Sequence, residues 1–335
     1  MFCHVPSNQV LSAHNVSNLY HVPKLLDQQS ITLTIADKLG LKVPVQRPLF
    51  TTWCQMADKV DTLKQVIKIA LVGKYLPGTD SYLSVVKALE HSAHFVNSKL
   101  EILWLDASYL EPGSGKHEQA WSDLTSAHGI LIPGGFGVRA CEGMILAIQY
   151  ARENKIPFLG ICLGMQLAVI EYARNMLGYA DANSTEFDQE TTHPTIIFMP
   201  EGSTTHFGGT MRLGSRQTNL MTKDCHAYRL YESMTINERH RHRYEVNVKM
   251  LKDLEKAGLR FVGRDTTGTR MEIIELKSHP FFFGAQYHPE YKSRPTRPSP
   301  PFRGLLTAAV ALRDKINQSN IIKSSRSSTR KADIE

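Results

Sequence analysis

From residue 66 onward the chain alternates wholly apolar runs with stretches whose apolar residues recur at helical spacing. No other feature limits the fold as much. The runs at 66–72, 100–105, 129–133 and 156–161 are apolar at nearly every position, so both faces of each strand must be buried. Helical spacing occupies 82–96, 144–152 and 163–175, and a shorter helix is expected near Trp121. Strands buried on both faces and separated by helices specify an α/β fold with a mostly parallel central sheet flanked by helices. Beyond Gly178 the texture shifts to shorter strands at 195–199, 210–216, 260–263 and 271–276 and a helix at 248–257. A last apolar strand at 281–287 and a helix at 305–316 complete the pattern.

The two ends read differently. Residues 1–62 carry short apolar groups interrupted by Pro6, Pro23, Pro44 and Pro48, with one helix-like stretch at 24–39, and look like part of a larger domain. Residues 63–317 form the main domain. Residues 318–335, rich in Ser, Lys and Arg, hold too few apolar side chains to fold and are expected to be a disordered basic tail. That end also explains the net charge of +7: Lys315, Lys323, Arg326, Arg330 and Lys331 supply five of it, leaving +2 elsewhere. The basic balance is therefore no argument for nucleic acid.

With 42% hydrophobic and 21% charged residues, and no uncharged apolar run near the roughly 18 residues of a spanning helix, the composition is that of a globular protein outside the membrane. Five cysteines, scattered at 3, 54, 141, 162 and 225, form neither a disulfide framework nor a zinc-type pair, so no metal is expected. The start, Met-Phe-Cys-His-Val-Pro, lacks the charged and apolar regions of a secretory signal, and a cytoplasmic location is expected.

Within the alternating region, Gly160-Ile-Cys162-Leu-Gly164 has the layout of a nucleophile elbow, an apolar strand running into a reactive residue from which a helix starts at once. A cysteine at a helix N-terminus is biased toward thiolate, the nucleophilic form. An arbitrary lone cysteine is more often a small core residue; the strand–elbow–helix context reverses that. His288 and Glu290 follow the strand at 281–287, two residues apart and so on one face, which lets the carboxylate orient the imidazole as a base. Pro133-Gly-Gly-Phe-Gly137 ends the strand preceding the nucleophile strand, and the N–H groups of Gly135 and Leu163 are candidate oxyanion donors.

These segments, together with Gly160-Ile-Cys-Leu-Gly-Met-Gln166 and His288-Pro-Glu290, resemble the class I glutamine amidotransferases. Asn183-Ser-Thr-Glu-Phe187, Gly208-Gly-Thr-Met-Arg-Leu-Gly214 and Glu238-Arg-His-Arg-His-Arg-Tyr-Glu-Val-Asn247 narrow the resemblance to the CTP synthase family, over Met1 to about Leu312. It implies that Cys162 attacks the side-chain amide of glutamine, that His288 moves the proton and that Glu290 orients His288. It further implies that Gly135, Leu163, Gly164, Met165 and Gln166 line the glutamine pocket, with Glu186 and Arg243 holding the amino and carboxylate ends. In the family, ammonia passes to a synthetase domain that uses ATP and Mg²⁺ to convert UTP to CTP under GTP activation, in tetramers or filaments. The glutaminase step itself needs no cofactor.

Residues 1–62 then correspond to the end of that synthetase domain, and only glutaminase activity is expected of this chain. Gly113-Ser-Gly115-Lys116 is not its phosphate loop, since Leu110 stands where the first glycine belongs and His117 follows the lysine. Asn15 stands where the family commonly has Asp at an adenine contact, and Ala140 where it usually has Gly. The competing readings are a non-catalytic regulatory or assembly partner of full-length CTP synthase, and another class I glutaminase or γ-glutamyl hydrolase.

Overall fold

The computed structural model describes residues 4–44, 46–74, 79–199 and 211–332. Contacts divide the chain into two units, residues 1–65 with 97–99, and residues 66–96 with 100–335.

Among its described residues the first unit holds three α-helices, α1 (Val22–Gln28), α2 (Ile31–Leu39) and α3 (Pro48–Val60). The helix expected at 24–39 is two, because Ser30 turns left-handed (φ 60°) between them. The third helix was not legible; Pro48 opens it at N1, and Trp53, Ala57 and Val60 turn inward at spacings of four and three. Arg47 grips Asp27 with both guanidinium nitrogens, and Trp53 donates to the Tyr20 carbonyl at 2.7 Å.

The second unit continues with β1 (Val66–Gly73), α4 (Leu83–Phe95), β2 (Lys99–Asp106), α5 (His117–Ser126), β3 (Gly129–Ile132), α6 (Cys141–Glu153), β4 (Phe158–Ile161) and α7 (Leu163–Leu177). Then come β5 (Asn183–Ser184), β6 (Pro194–Phe198), β7 (Arg212–Leu220), α8 (His226–Tyr231), β8 (Thr235–His242) and β9 (Tyr244–Val246). It closes with α9 (Leu251–Ala257), β10 (Leu259–Asp265), β11 (Met271–Leu276), β12 (Phe282–Ala285) and α10 (Pro300–Ala332).

Nine strands form one sheet in the order β2-β1-β3-β4-β12-β11-β10-β7-β8, and β5, β6 and β9 form a small second one. Three of the apolar runs, β1, β3 and β4, behave as strands buried on both faces should; β2, at the edge of the sheet, is mostly half-buried, because an edge strand has a neighbour on one side only. Ala70, Val72, Ile130 and Ile132 pack under α6 and α7, while Ile67, Ile69, Leu71 and Leu131 pack under α4 and α10. β1, β3, β4 and β12 pair in parallel; from β12 to β8 each pairing is antiparallel.

Two differences from expectation have clear causes. β8 lacks a hydrophobic stripe. Its buried face is Ile236, Glu238, His240 and His242, alternating with exposed Thr235, Asn237, Arg239 and Arg241, so the period of two is written in polar residues. The last helix runs to Ala332, across most of the segment expected to be a disordered tail, because neither Pro nor Gly follows Gly304 to stop it. Residues 333–335 and the Gly208-Gly-Thr210 part of the family mark lie outside the described residues. No helix among the described residues is long and apolar enough to cross a membrane.

Ala140 caps α6 at φ 58°, ψ 18°, the left-handed region that costs a residue with a Cβ about 1 kcal/mol. This is the position where the resemblance calls for Gly. Ala140→Gly should therefore raise the thermal unfolding midpoint by roughly 1–3 °C. A fall on calorimetry would show that the buried methyl group contributes more than the strain removes.

Candidate active site

Parallel register brings three strand ends to one edge. Ile132 of β3 lies opposite Gly160 of β4, and Ile161 lies opposite Ala285 of β12. The chain leaves these strands as the 133–137 loop, as Cys162 and as the segment to His288, so the candidate residues converge at the carboxyl edge of the sheet.

Cys162 sits at φ 53°, ψ −101° as the N-cap of α7, and its side chain is almost wholly buried. The strain belongs to the cysteine itself, and Gly160 and Gly164 are small for want of space: a Cβ at Gly160 would stand 2.6 Å from the Gly164 carbonyl oxygen, and one at Gly164 2.3 Å from that of Ile132. They are small so that α7 can start directly against β3 and β4. The Cys162 sulfur lies 3.8 Å from the Arg241 carbonyl and 3.7 Å from Nε2 of Gln286.

His288 Nδ1 pairs with Glu290 Oε1 at 2.8 Å, and its backbone N–H donates to the Arg239 carbonyl at 2.8 Å. Among the described residues, the buried Nε2 makes no hydrogen bond of ordinary geometry. Burial by itself would lower the imidazole's pKa, but the Cys162 sulfur and the Glu290 carboxylate favour the protonated ring more strongly and push it up to about 11. A Cβ at Gly134 would meet His288 Cε1 at 2.8 Å and Cys162 Cβ at 3.4 Å, so the first loop glycine is the space in which these two side chains meet.

The cavity above Cys162 has a volume of about 310 Å³ and is lined by Tyr82, Gly134, Gly135, Phe136, Arg241, His288, Glu290 and several neighbours. Cys162, His288, Glu290 and Gly135 thus line one cavity. Leu163, Gly164, Met165 and Gln166 form the buried first turn of α7. Gln166 donates to the Tyr244 carbonyl at 2.8 Å and to Oε1 of Gln286 at 3.2 Å, which links it to the residue beside the sulfur. Glu186 accepts from the Gly137 N–H at 2.9 Å. Arg241, rather than Arg243, lines this cavity, with its guanidinium 5.8 Å from the Phe136 ring. Arg243 follows β8, and its carbonyl accepts from Met199 N–H at 2.9 Å.

Lys74, Tyr82, Gln286 and the β8 carbonyls were not anticipated. Only Gln286, two residues before His288 on a strand end, carried a positional signal. Cys141 is buried and its thiol is pushed up by that burial, as suits a packing residue.

Behind His288, Tyr231 donates to Glu238 Oε1 at 3.0 Å and stands 3.2 Å from the Tyr287 hydroxyl. His240 and His242 share a 3.1 Å hydrogen bond, and burial holds both rings far below the usual imidazole range. The β8 face that packs behind Cys162 and His288 is polar, yet its imidazoles carry no charge.

A family profile described as glutamine amidotransferase class-I matches residues 78–308. CTP synthase 1 of Homo sapiens is 53% identical over 317 residues, covering 92% of this chain and 54% of the relative. CTP synthase of Drosophila melanogaster is 48% identical over 325 residues, covering 95% and 51%. The chain spans about half the length of the curated relatives it matches. Among solved structures, the glutaminase domain of Trypanosoma brucei CTPS with bound acivicin matches with a TM-score of 0.69 at 40% identity, over 73% of this chain and 94% of that one.

Burial pushes the Glu238 carboxyl up to about 7 although Lys292 stands 3.8 Å away. Its folded pKa thus exceeds its ordinary value of 4.5, so its contribution to stability is full below about pH 4.5 and is lost as pH rises through 7. Glu238→Gln keeps an acceptor for Tyr231 and removes the titration. Unfolding midpoints between pH 5 and 8 should fall less steeply in the variant than in the wild type; equal slopes would show that Glu238 does not ionise in this range.

Proposed function

The chain belongs to the class I glutamine amidotransferase family, on its CTP synthase branch, and from that premise we propose that it hydrolyses the side-chain amide of L-glutamine through a thioester on Cys162. The observation that carries this reading is the meeting of three groups at one strand edge: a cysteine at a strained helix N-cap, an imidazole driven toward its protonated form, and a carboxylate 2.8 Å from that imidazole's far nitrogen.

The Cys162 thiol gives its proton to His288 before the sulfur attacks. The thiolate attacks the amide carbon, and the oxygen that gains charge is received by the N–H groups of Gly135 and Leu163. Leu163 N–H is a first-turn amide with no acceptor within its helix. A donor aimed at charge that appears only in the transition state lowers the barrier more than the binding energy. His288 gives its proton to the departing nitrogen, releasing ammonia and leaving the thioester. It then takes a proton from water, which attacks the same carbon and frees glutamate and the thiolate. Glu290 holds the imidazole in one orientation and stabilises its positive charge through both steps.

Glutamine is a zwitterion, and the resemblance assigns its ammonium to Glu186 and its carboxylate to Arg243, the planar fork suited to bidentate pairing. Within a full-length CTP synthase the ammonia produced would feed the ATP-dependent amination of UTP.

Cys162→Ala should abolish glutamine-dependent ammonia release, and L-glutamine should protect Cys162 from alkylation by iodoacetamide while a γ-glutamyl peptide should not. Ammonia release persisting in the alanine variant would sink the nucleophile assignment. Protection by the peptide alone would replace the amidotransferase reading with a γ-glutamyl hydrolase.

A further inference from the structure

Lys74, at the end of β1, is 1% exposed, and no step of the proposed hydrolysis uses it. Its ammonium donates to the carbonyl oxygens of Phe136, at 3.2 Å, and of Gly137, and lies 3.5 Å from the Cys141 sulfur. Among the described residues it forms no ion pair with a carboxylate. Taking an ammonium out of water costs several kcal/mol unless its donors are met, and here backbone carbonyls of one short loop meet them. A methionine or leucine would fill this place at the end of an otherwise apolar strand without that cost. Filling the core does not account for a lysine here.

That loop runs between β3 and α6 and carries Gly135. Three contacts fix it. From below, Lys74 holds the carbonyls of Phe136 and Gly137. From the other side of the same peptide, Glu186 accepts the Gly137 N–H at 2.9 Å, so the Phe136–Gly137 peptide plane is held at its oxygen and at its nitrogen. At the near end, Gly134 is wedged against His288 and Cys162. Gly135 lies between these fixed points. A peptide whose carbonyls are drawn toward a buried cation cannot rotate to present them to the cavity, where they would repel the developing oxyanion. Tyr82, which lines the same cavity, reinforces the arrangement: its hydroxyl accepts from the Lys74 N–H at 3.2 Å, and its ring occupies the space a Cβ at Gly73 would need.

We infer that Lys74 is a positioning residue: it holds the backbone of residues 134–137 in the one orientation that aims the Gly135 N–H at the oxyanion formed on Cys162. The assignment rests on the thioester reading above. It acts through the loop, so it affects the step in which charge develops on the substrate oxygen and leaves the reactivity of the thiolate alone.

Alkylation of Cys162 by iodoacetamide forms no oxyanion and so separates the two effects. Three quantities are compared in the wild-type chain and Lys74→Met: kcat and KM for glutamine, the rate of alkylation of Cys162, and amide hydrogen exchange across 134–140. Loss of aim at the oxyanion should lower kcat by about 10²-fold. KM and alkylation should stay within about threefold of wild type, and exchange at 134–137 should speed up by at least about tenfold with the rest of the sheet unchanged. Lys74→Gln, neutral but able to donate, carries the same comparison if the methionine variant does not fold. Unchanged loop exchange, or alkylation falling in step with kcat, would overturn the assignment. If the wild-type chain releases no ammonia, the hydrolysis reading fails, and the exchange data still decide whether Lys74 orders the loop.

Discussion

The parallel pairing of β3, β4 and β12 is the constraint on which the rest of this structure depends. Because Ile132, Gly160 and Gly284 lie in register, the chain leaves all three strands at the same height. The glycine loop, the cysteine and the histidine segment then have no choice but to meet. A slip of one residue in β4 would exchange its two faces and turn Cys162 away from His288. The pairing is held by apolar residues packed on both faces of the sheet, so the rigidity that catalysis needs comes from the core and not from contacts within the site.

On that frame the site is built mainly from backbone. Gly160 and Gly164 are small because α7 starts against the β3 carbonyl, and the strain of that abrupt start falls on Cys162. The Arg239 carbonyl holds the His288 N–H, and the Arg241 carbonyl approaches the sulfur. β8 thus ties Cys162 and His288 together through main-chain atoms, while its side chains divide between a buried face, whose imidazoles are neutral, and an exposed basic one. Neutral imidazoles at His240 and His242 keep positive charge from accumulating behind a histidine whose own protonated state is favoured by Cys162 and Glu290.

Much of this was legible in residue order. Continuous apolar runs marked the central strands, because strands buried on both faces tolerate them, and the glycines around Cys162 and the His288–Glu290 spacing marked these residues as candidates. β8 was not legible as a strand because its alternation is between polar kinds, Glu and His inside and Arg outside, which hydrophobic periodicity does not register. Lys74 was hidden for a related reason. It follows an apolar strand as a solvated lysine would, and nothing nearby in sequence indicates that its ammonium reaches a loop more than sixty residues away.

By itself, then, the sequence determined the alternation of strand and helix, the positions where a side chain could not be afforded, and the chemical types of the reacting groups, since these follow from local spacing and residue chemistry. Tertiary structure alone decided which carbonyls face which donors, which arginine lines the cavity, and which buried charges are met. Those depend on distances between segments brought together by sheet register, and a hydrogen bond is set by where two groups end up in space, whatever their separation along the chain.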